Sequence, residues 1–432
     1  MDILIKNGRV IDPVNKIDRV TGVLISEDRI VKIGNLSEVK TSGEKPKIID
    51  AKNKVVIPGI IDIHTHLREP GHEEEETIAT GTRSAAVGGV TSIFCMPNTH
   101  PVIDNQTAVE FILLKAKNEG IVNVFPVGAI TKGLSGEDLT EIGELKKAGV
   151  VSISDDGNPV MDALVMRRAL EYAKMFDLSV IAHCEDKNLS EDGVMNESYT
   201  STLLGLRGIP NESEDVMVAR DIILSALTGG HLHIAHVSTK GSVELIRQAK
   251  RNKIPVSCEA CPHHFTLTDE MVKTYDTNTK VNPPLRTEED VREIIKGLQD
   301  GTIDCIASDH APHTEEEKNK EYDLAPFGIV GLETLLPLTI TYLVKTKKLS
   351  LMAAITKLTS NPKKIFKLDS GTLTPGSKAD ITIIDINVER VIKDFVSKSK
   401  NSPFLGKKLQ GFAVMTIVNG KIIMDNGKIL SD

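Results

Sequence analysis

The chain of 432 residues has no tryptophan, and its aromatic share is only 3%. Five cysteines in a chain this long are too few, and odd in number, for a disulfide framework, so reduced thiols are expected. No uninterrupted apolar run approaches the roughly 18–20 residues of a membrane span, and the start, Met1-Asp-Ile-Leu-Ile-Lys, lacks a secretory pattern. Positive charge is also short: 52 Lys and Arg against 60 Asp and Glu leave −8, which disfavours a nucleic-acid partner. No low-complexity stretch or Pro-, Gly- or Ser-rich linker interrupts the chain. A hydrophobic share of 40% is enough for a large core, so a soluble, cytoplasmic, folded protein acting on a small molecule is expected, with no membrane partner.

Between residues 55 and 309 one unit recurs: a short apolar run, a polar loop, then a helical stretch. The runs are 55–63, 90–95, 122–127, 150–153, 179–182, 232–235, 254–257 and 303–307. Apolar spacing of three and four predicts helices over 104–119, opening at Asp104 as N-cap and closing before Gly120, over 159–176, and over 239–252. Eight β-then-α units in about 250 residues predict an α/β chain with a TIM-type (β/α)8 barrel. Residues 1–54 and 371–432 instead show short alternating runs that read as small antiparallel sheets. They predict a composite β domain from both termini beside a catalytic barrel over 55–370. The glycines of Gly371-Thr-Leu-Thr-Pro-Gly376-Ser-Lys378 imitate a phosphate loop, but Ser precedes Lys and a strand follows, so this is a turn.

Catalytic groups of such barrels sit where strands end. Those ends carry Asp62-Ile-His64-Thr-His66, Ser154-Asp155-Asp156, His183, His236 and Ser308-Asp309-His310. Period-2 alternation points His64 and His66 to one side. Four imidazoles and two carboxylates gathered in a barrel mouth are costly to bury unless a divalent cation pairs them. Imidazole plus carboxylate without obligatory thiolate suits zinc, with manganese and iron as the other candidates. Cys258-Glu-Ala-Cys261-Pro-His263-His264 has a C-x-x-C spacing, but no second pair follows at finger spacing, and these cysteines read as small buried residues at a strand end.

With Met96-Pro-Asn98-Thr, Ala182-His183-Cys-Glu185, His64-Thr-His66-Leu-Arg68-Glu-Pro70-Gly71, Ala307-Ser-Asp309-His310-Ala-Pro-His313 and Gly331-Leu-Glu-Thr334, the chain resembles the class I dihydroorotases of the amidohydrolase superfamily over nearly its whole length. The resemblance implies a cyclic amide hydrolase that interconverts N-carbamoyl-L-aspartate and L-dihydroorotate in pyrimidine biosynthesis. It also implies two zinc ions, one on His64, His66 and Asp309, the second on His183 and His236, with Asp156 bridging. Asp309 would double as the catalytic base. Related hydantoinases and dihydropyrimidinases bridge their metals with a carbamylated lysine at strand four, where this chain offers only Ser and Asp. Asp156 shares a strand face with Ser152 and Ser154, whereas Asp155 faces the helices and reads as structural.

By the same carry-over Arg68 would hold the substrate carboxylate with a bidentate fork, joined by His66, Asn98, Asn282 and His313, while Phe327 and Gly328 would present backbone groups to the ring. Asn282 also reads as a turn residue before two prolines. Residues 314–326, rich in Glu and Lys, predict a mobile solvated lid, and the acidic run 73–76 predicts a helix N-terminus. The resemblance admits a homo-oligomer and association with aspartate carbamoyltransferase. The rival readings are another cyclic amidohydrolase (hydantoinase, dihydropyrimidinase or allantoinase), a non-catalytic scaffold for aspartate carbamoyltransferase, and a metal-storage protein. Intact ligand positions disfavour the scaffold, and Arg68 with Asn98 disfavours storage.

Overall fold

Eight short parallel strands lie in sequence order, each next to its predecessor: Ile60–Thr65, Val90–Cys95, Asn123–Gly128, Ser152–Ser154, Ser179–Ala182, Leu232–Ile234, Val256–Ala260 and Cys305–Ile306. The computed structural model describes residues 2–36 and 46–430. Thr65 bridges His310, and His66 N donates to His310 O at 2.8 Å, so the first strand meets the chain just beyond the eighth and the barrel closes. Strands that face a packed interior and a ring of helices are buried on both sides, which is why they read as apolar runs without alternation. Each of the eight expected runs overlaps one of these strands, and the first, third, fourth and seventh strands continue past the ends of their runs.

The run 55–63, expected as one strand, is divided at Gly59. Val55–Pro58 pairs parallel with Ile3–Asp12 and antiparallel with Ile381–Val391, while Ile60–Thr65 starts the barrel. A Cβ on Gly59 would lie 2.1 Å from Thr91 Oγ1, so only glycine lets the chain pass between the two sheets here. The terminal sheet therefore reaches past residue 54. It is one mixed nine-stranded sheet with strands from both ends of the chain, because Ile3–Asp12 also pairs parallel with Lys47–Asp50. Its buried face is aliphatic, with Ile5, Val23, Ile381 and Ile417 in one cluster.

The barrel helices start on side-chain caps. Gln106–Glu119 is capped by Asn105 rather than Asp104, whose carboxylate accepts from Gly133 N at 2.9 Å instead. Ala163–Met175 is capped by Asp162, and Lys240–Arg251 by Thr239, whose hydroxyl accepts from Ser242 N at 3.1 Å. Residues 371–378 form a turn before Ile381–Val391, with Gly376 N bonded to Ile30 O at 2.8 Å. No helix among the described residues is long and apolar enough to cross a membrane.

The barrel interior is filled from below. Phe94, Ile61, Ile63, Val127 and Ile181 pack on Phe366 and Leu368. The Phe94 ring stands 4.9 Å from that of Phe366 and 5.9 Å from that of Phe125, both edge-on. This plug leaves the opposite, C-terminal mouth for polar groups. Phe94→Ala is expected to lower stability by about 3–5 kcal/mol, whereas truncating the exposed Phe111 should change it by less than about 0.5 kcal/mol. Urea denaturation of both variants measures the difference.

Candidate metal centre

Each barrel strand that carries a candidate ligand delivers it at the same mouth. His64 lies within Ile60–Thr65, His183 follows directly on its strand, and Asp156, His236 and Asp309 come two, two and three residues after theirs. His236 (φ 31°) and Asp309 (φ 49°) hold left-handed backbone, as does Arg68 (φ 62°). For non-glycine residues such a conformation costs about 1–3 kcal/mol and is kept where the surroundings demand it.

The donor atoms converge. His64 Nε2 lies 3.4 Å from Asp156 Oδ1 and 3.6 Å from Asp309 Oδ1. His66 Nε2 lies 3.4 Å from Asp156 Oδ2 and 3.3 Å from Asp309 Oδ1. His236 Nε2 stands 3.5 Å and His183 Nδ1 3.7 Å from Asp156 Oδ1, the oxygen that also faces His64. Asp156 thus touches both imidazole pairs. These spacings exceed a good hydrogen bond and match the edge of a tetrahedron about 3.3–3.4 Å long that metal–ligand bonds of about 2.0–2.1 Å define. His64 Nε2 and Asp156 Oδ1 are buried without any hydrogen-bond partner. Orphaned acceptors aimed at one point fit a divalent cation. The groups His64–Asp156–His236 and His64–His66–Asp309 each gather three ligand atoms within 4.8 Å of one another.

Electrostatics agree with that arrangement. Burial pushes Asp156 up, but the charge of His64 and the neighbouring His236 imidazole hold it well below the usual carboxylate range. Burial likewise opposes, and the bond from His66 and the charge of His64 outweigh it, for Asp309, which is ionised. Asp155 turns the other way: its Oδ1 accepts from Ile130 N at 2.7 Å and Thr131 N at 3.0 Å, and it touches no histidine of the centre.

Several partners have no counterpart in the sequence reading. Glu259 Oε1 accepts from His64 Nδ1 at 2.6 Å, and its other oxygen meets His233 Nε2 at 3.2 Å. Against its burial, the charge of His64 and the bond from His233 hold Glu259 down to about 2. A carboxylate behind a ligating imidazole fixes the tautomer and ring orientation. Glu185 does the same for His183, at 2.9 Å from Nε2. The seventh strand extends to Ala260 rather than ending at 257, so Glu259 shares the inward face of Ser257; continuing the alternation two residues further is the signal that finds it. Asp62 Oδ1 ties the first and eighth strands by accepting from Ser308 N at 3.0 Å.

The candidate substrate residues ring the same mouth, with corrections. Asn98 Oδ1 meets His66 Nδ1 at 2.9 Å and so orients a ligand imidazole. Asn282 Nδ2 donates to Glu185 Oε2 at 2.9 Å, which links it to His183. Arg68 is largely enclosed, donating from Nε to Pro312 O at 3.1 Å, with Nη2 3.1 Å from His313 Nε2. Phe327 O lies 2.8 Å from His313 Nε2, Gly328 N donates to Lys280 O, and Gly328 O accepts from Lys318 and Asn401, so these groups are already engaged within the chain. The acidic run 73–76 does not open a helix. Thr77 caps Ile78–Gly88, and Glu75 and Glu76 are buried in the preceding turn. Cys258 Sγ points at Thr302 O at 3.4 Å while Cys261 groups with His263 and His264, so the C-x-x-C pair does not converge.

Residues 314–326 are more anchored than their charge suggests. Thr314 caps Glu315–Lys318, Tyr322 packs with Val194, Met195 and Val272, and buried Lys318 Nζ donates to Pro326 O at 2.9 Å and Gly328 O at 3.1 Å. Burial, then the charge of Lys280, pushes Lys318 down to about 7. The anchored state then binds fewer protons than the released one between about pH 7 and 10, so anchoring strengthens as pH rises through that window. Limited proteolysis within 314–326 is expected to slow between pH 6 and 8.5 relative to a Lys318→Met variant assayed in parallel. Equal pH dependence in both would contradict this.

Metal content gives the sharper test. Asp156→Ala is expected to lose metal, Asp155→Ala to keep it, and Glu259→Gln to weaken its affinity about 10–100-fold, as read by equilibrium dialysis. Loss of metal from Asp155→Ala alone would place the wrong carboxylate in the centre.

Comparison with known proteins places this geometry. A family model described as dihydro-orotase-like matches residues 53–242, and one described as an amidohydrolase family matches residues 326–424. The dihydroorotase of Endomicrobium trichonymphae is 58% identical over 98% of this chain and 99% of its own length. That of Acetivibrio thermocellus is 55% identical over 98% and 99%. Among solved structures, the L-hydantoinase (dihydropyrimidinase) from Arthrobacter aurescens superposes with a TM-score of 0.88 at 27% identity, covering 100% of this chain and 98% of that one. The dihydropyrimidinase from Brevibacillus agri NCHU1002 shares the fold, with a TM-score of 0.87 at 24% identity, covering 100% and 96%. Identity above one half along the full length, on a barrel whose fourth strand supplies Asp156 between two pairs of imidazoles, makes this chain a member of the dihydroorotase family.

Proposed function

We propose that the chain catalyses the reversible ring closure of N-carbamoyl-L-aspartate to L-dihydroorotate and water, with two zinc ions held by His64, His66, Asp156, His183, His236 and Asp309. The observation that carries this reading is the Arg68 guanidinium, its side chain only 11% exposed, two residues beyond His66 at the mouth that holds the imidazole and carboxylate cluster. A cyclic amide bearing a carboxylate needs such a cation; an uncharged hydantoin ring does not. The absence of lysine from Ser152–Ser154 and the two aspartates after it supports the same choice over a hydantoinase.

In the hydrolytic direction Arg68 holds the substrate carboxylate through its guanidinium fork, and Asn98 keeps the His66 ring in place. Bound zinc supplies Lewis acidity toward the ring carbonyl and makes water nucleophilic at neutral pH. Oxygen bonds to the carbonyl carbon, the ring carbon–nitrogen bond breaks, and Asp309, ionised at neutral pH, takes the proton from the attacking water and passes it to the departing nitrogen. Ring closure reverses these transfers. Association with aspartate carbamoyltransferase is proposed from the family resemblance, and co-elution of the two purified proteins tests it.

The zinc-loaded enzyme is expected to turn over dihydroorotate and to leave hydantoin, dihydrouracil and allantoin nearly untouched; preference for an uncharged ring would overturn the assignment. Arg68→Met should retain its metal and lose at least roughly tenfold in kcat/KM, the equivalent of one charge-assisted contact of about 1.5 kcal/mol or more. Asp309→Asn should lower kcat even where substrate still binds. Wild-type kinetics in Arg68→Met would remove the reason for preferring a carboxylate substrate.

A further inference from the structure

The acidic run 73–76 splits into two halves with different fates: Glu73 and Glu74 face solvent, while Glu75 and Glu76 are buried. Glu76 is occupied in tying the barrel to the C-terminal segment, through His310 Nε2 at 3.3 Å, Ser397 Oγ and Lys398 N at 3.2 Å. Glu75 has no such structural employment for its side chain. Its Oε2 stands 2.6 Å from Arg68 Nε, and its Oε1 lies 3.7 Å from His313 Nδ1. The backbone around it is fixed, since Glu75 N donates to His72 O at 3.0 Å and Glu75 O accepts from Ser399 Oγ at 2.6 Å. The carboxylate is therefore held at a set place beside the guanidinium.

Arg68 needs that neighbour. Its side chain is largely enclosed, and Glu75 is the carboxylate paired with it at short range, 2.6 Å from Nε. Without that counter-charge the guanidinium loses the anchor that sets the direction of its fork. Pro312 O accepts the Nε–H, and the Glu75 carboxylate stands beside it as the counter-charge. Pro312 O and His313 Nε2 engage Nε and Nη2, and no hydrogen bond of Nη1 stands among the described residues.

We propose that Glu75 is a positioning residue which holds Arg68 by its Nε edge and so aims the guanidinium at the carboxylate of a cyclic amide substrate. This rests on the dihydroorotate reading above and adds to it a determinant of substrate binding outside the ligands and the fork itself. Glu75 touches neither substrate nor metal ligand. Its removal should therefore act on binding of the charged substrate and leave the chemical step alone.

The test uses the zinc-loaded, full-length enzyme and three variants: Glu75→Ala, Glu75→Gln and the double variant Glu75→Ala with Arg68→Met. Glu75→Ala is expected to raise KM for dihydroorotate at least tenfold, with kcat within about threefold and zinc content unchanged. Glu75→Gln keeps the size of the side chain and removes the charge paired with Arg68, so it should raise KM as Glu75→Ala does, again with kcat and zinc content unchanged. In the double variant the loss should not exceed that of Arg68→Met alone, because an effect that runs through Arg68 vanishes with it. The proposal is overturned by a wild-type or lowered KM in Glu75→Ala, by parallel loss of kcat and zinc, or by full additivity in the double variant. If Glu75→Ala does not fold, a Glu75→Gln enzyme with a wild-type KM overturns it as well. A wild-type enzyme that does not act on dihydroorotate would instead refute the underlying function, so the two failures are distinguishable.

Discussion

Four imidazoles and two carboxylates buried together in the barrel mouth, at spacings too long for hydrogen bonds among most of them, are the constraint on which the rest of the structure depends. Such a group loses its hydration on folding and regains little from its own members, so it is tolerable only around cations that repay the desolvation. The apolar plug of Phe94, Phe366 and Leu368 fills the lower barrel and confines the polar ring to one end. Left-handed backbone at His236 and Asp309, and carboxylates behind His64 and His183, are the local costs and supports of holding ligands at fixed spacing.

Around this centre the charges are arranged in pairs. Arg68 faces Glu75, His183 backs onto Glu185, and His310 meets Glu76. Each pairing leaves the functional group oriented without a free side chain to rotate, which is how a barrel mouth built from loops can hold positions as closely as a strand would. Lys318 and Asn401 perform the corresponding task for the backbone at Gly328.

The sequence was most legible where physics leaves a one-dimensional trace. Barrel strands buried on both faces appear as apolar runs, so eight strands and the ends that carry His64, Asp156, His183, His236 and Asp309 could be read without coordinates. What failed were features decided by partners distant in the chain. Glu73 to Glu76 carries the charge of a helix start, yet Arg68 and His310 draw two of its members inward, and the helix waits for Thr77. The run 55–63 has no apolar break, because the change of sheet at Gly59 is a matter of room beside Thr91. Glu259 lies beyond the apolar run 254–257, because the seventh strand continues through polar residues to Ala260. The charged segment 314–326 looked solvated because nothing local announces that Lys318 and Tyr322 find buried partners.

The central claim is that Asp156 sits between two metal ions at this mouth. Anomalous scattering from crystals of the zinc-loaded enzyme, collected on both sides of the zinc edge, tests it most directly. The account predicts two peaks roughly 3.5–4 Å apart, one beside His64, His66 and Asp309, the other beside His183 and His236, with the Asp156 carboxylate reaching both. A single peak, or zinc bound away from these side chains, would contradict it.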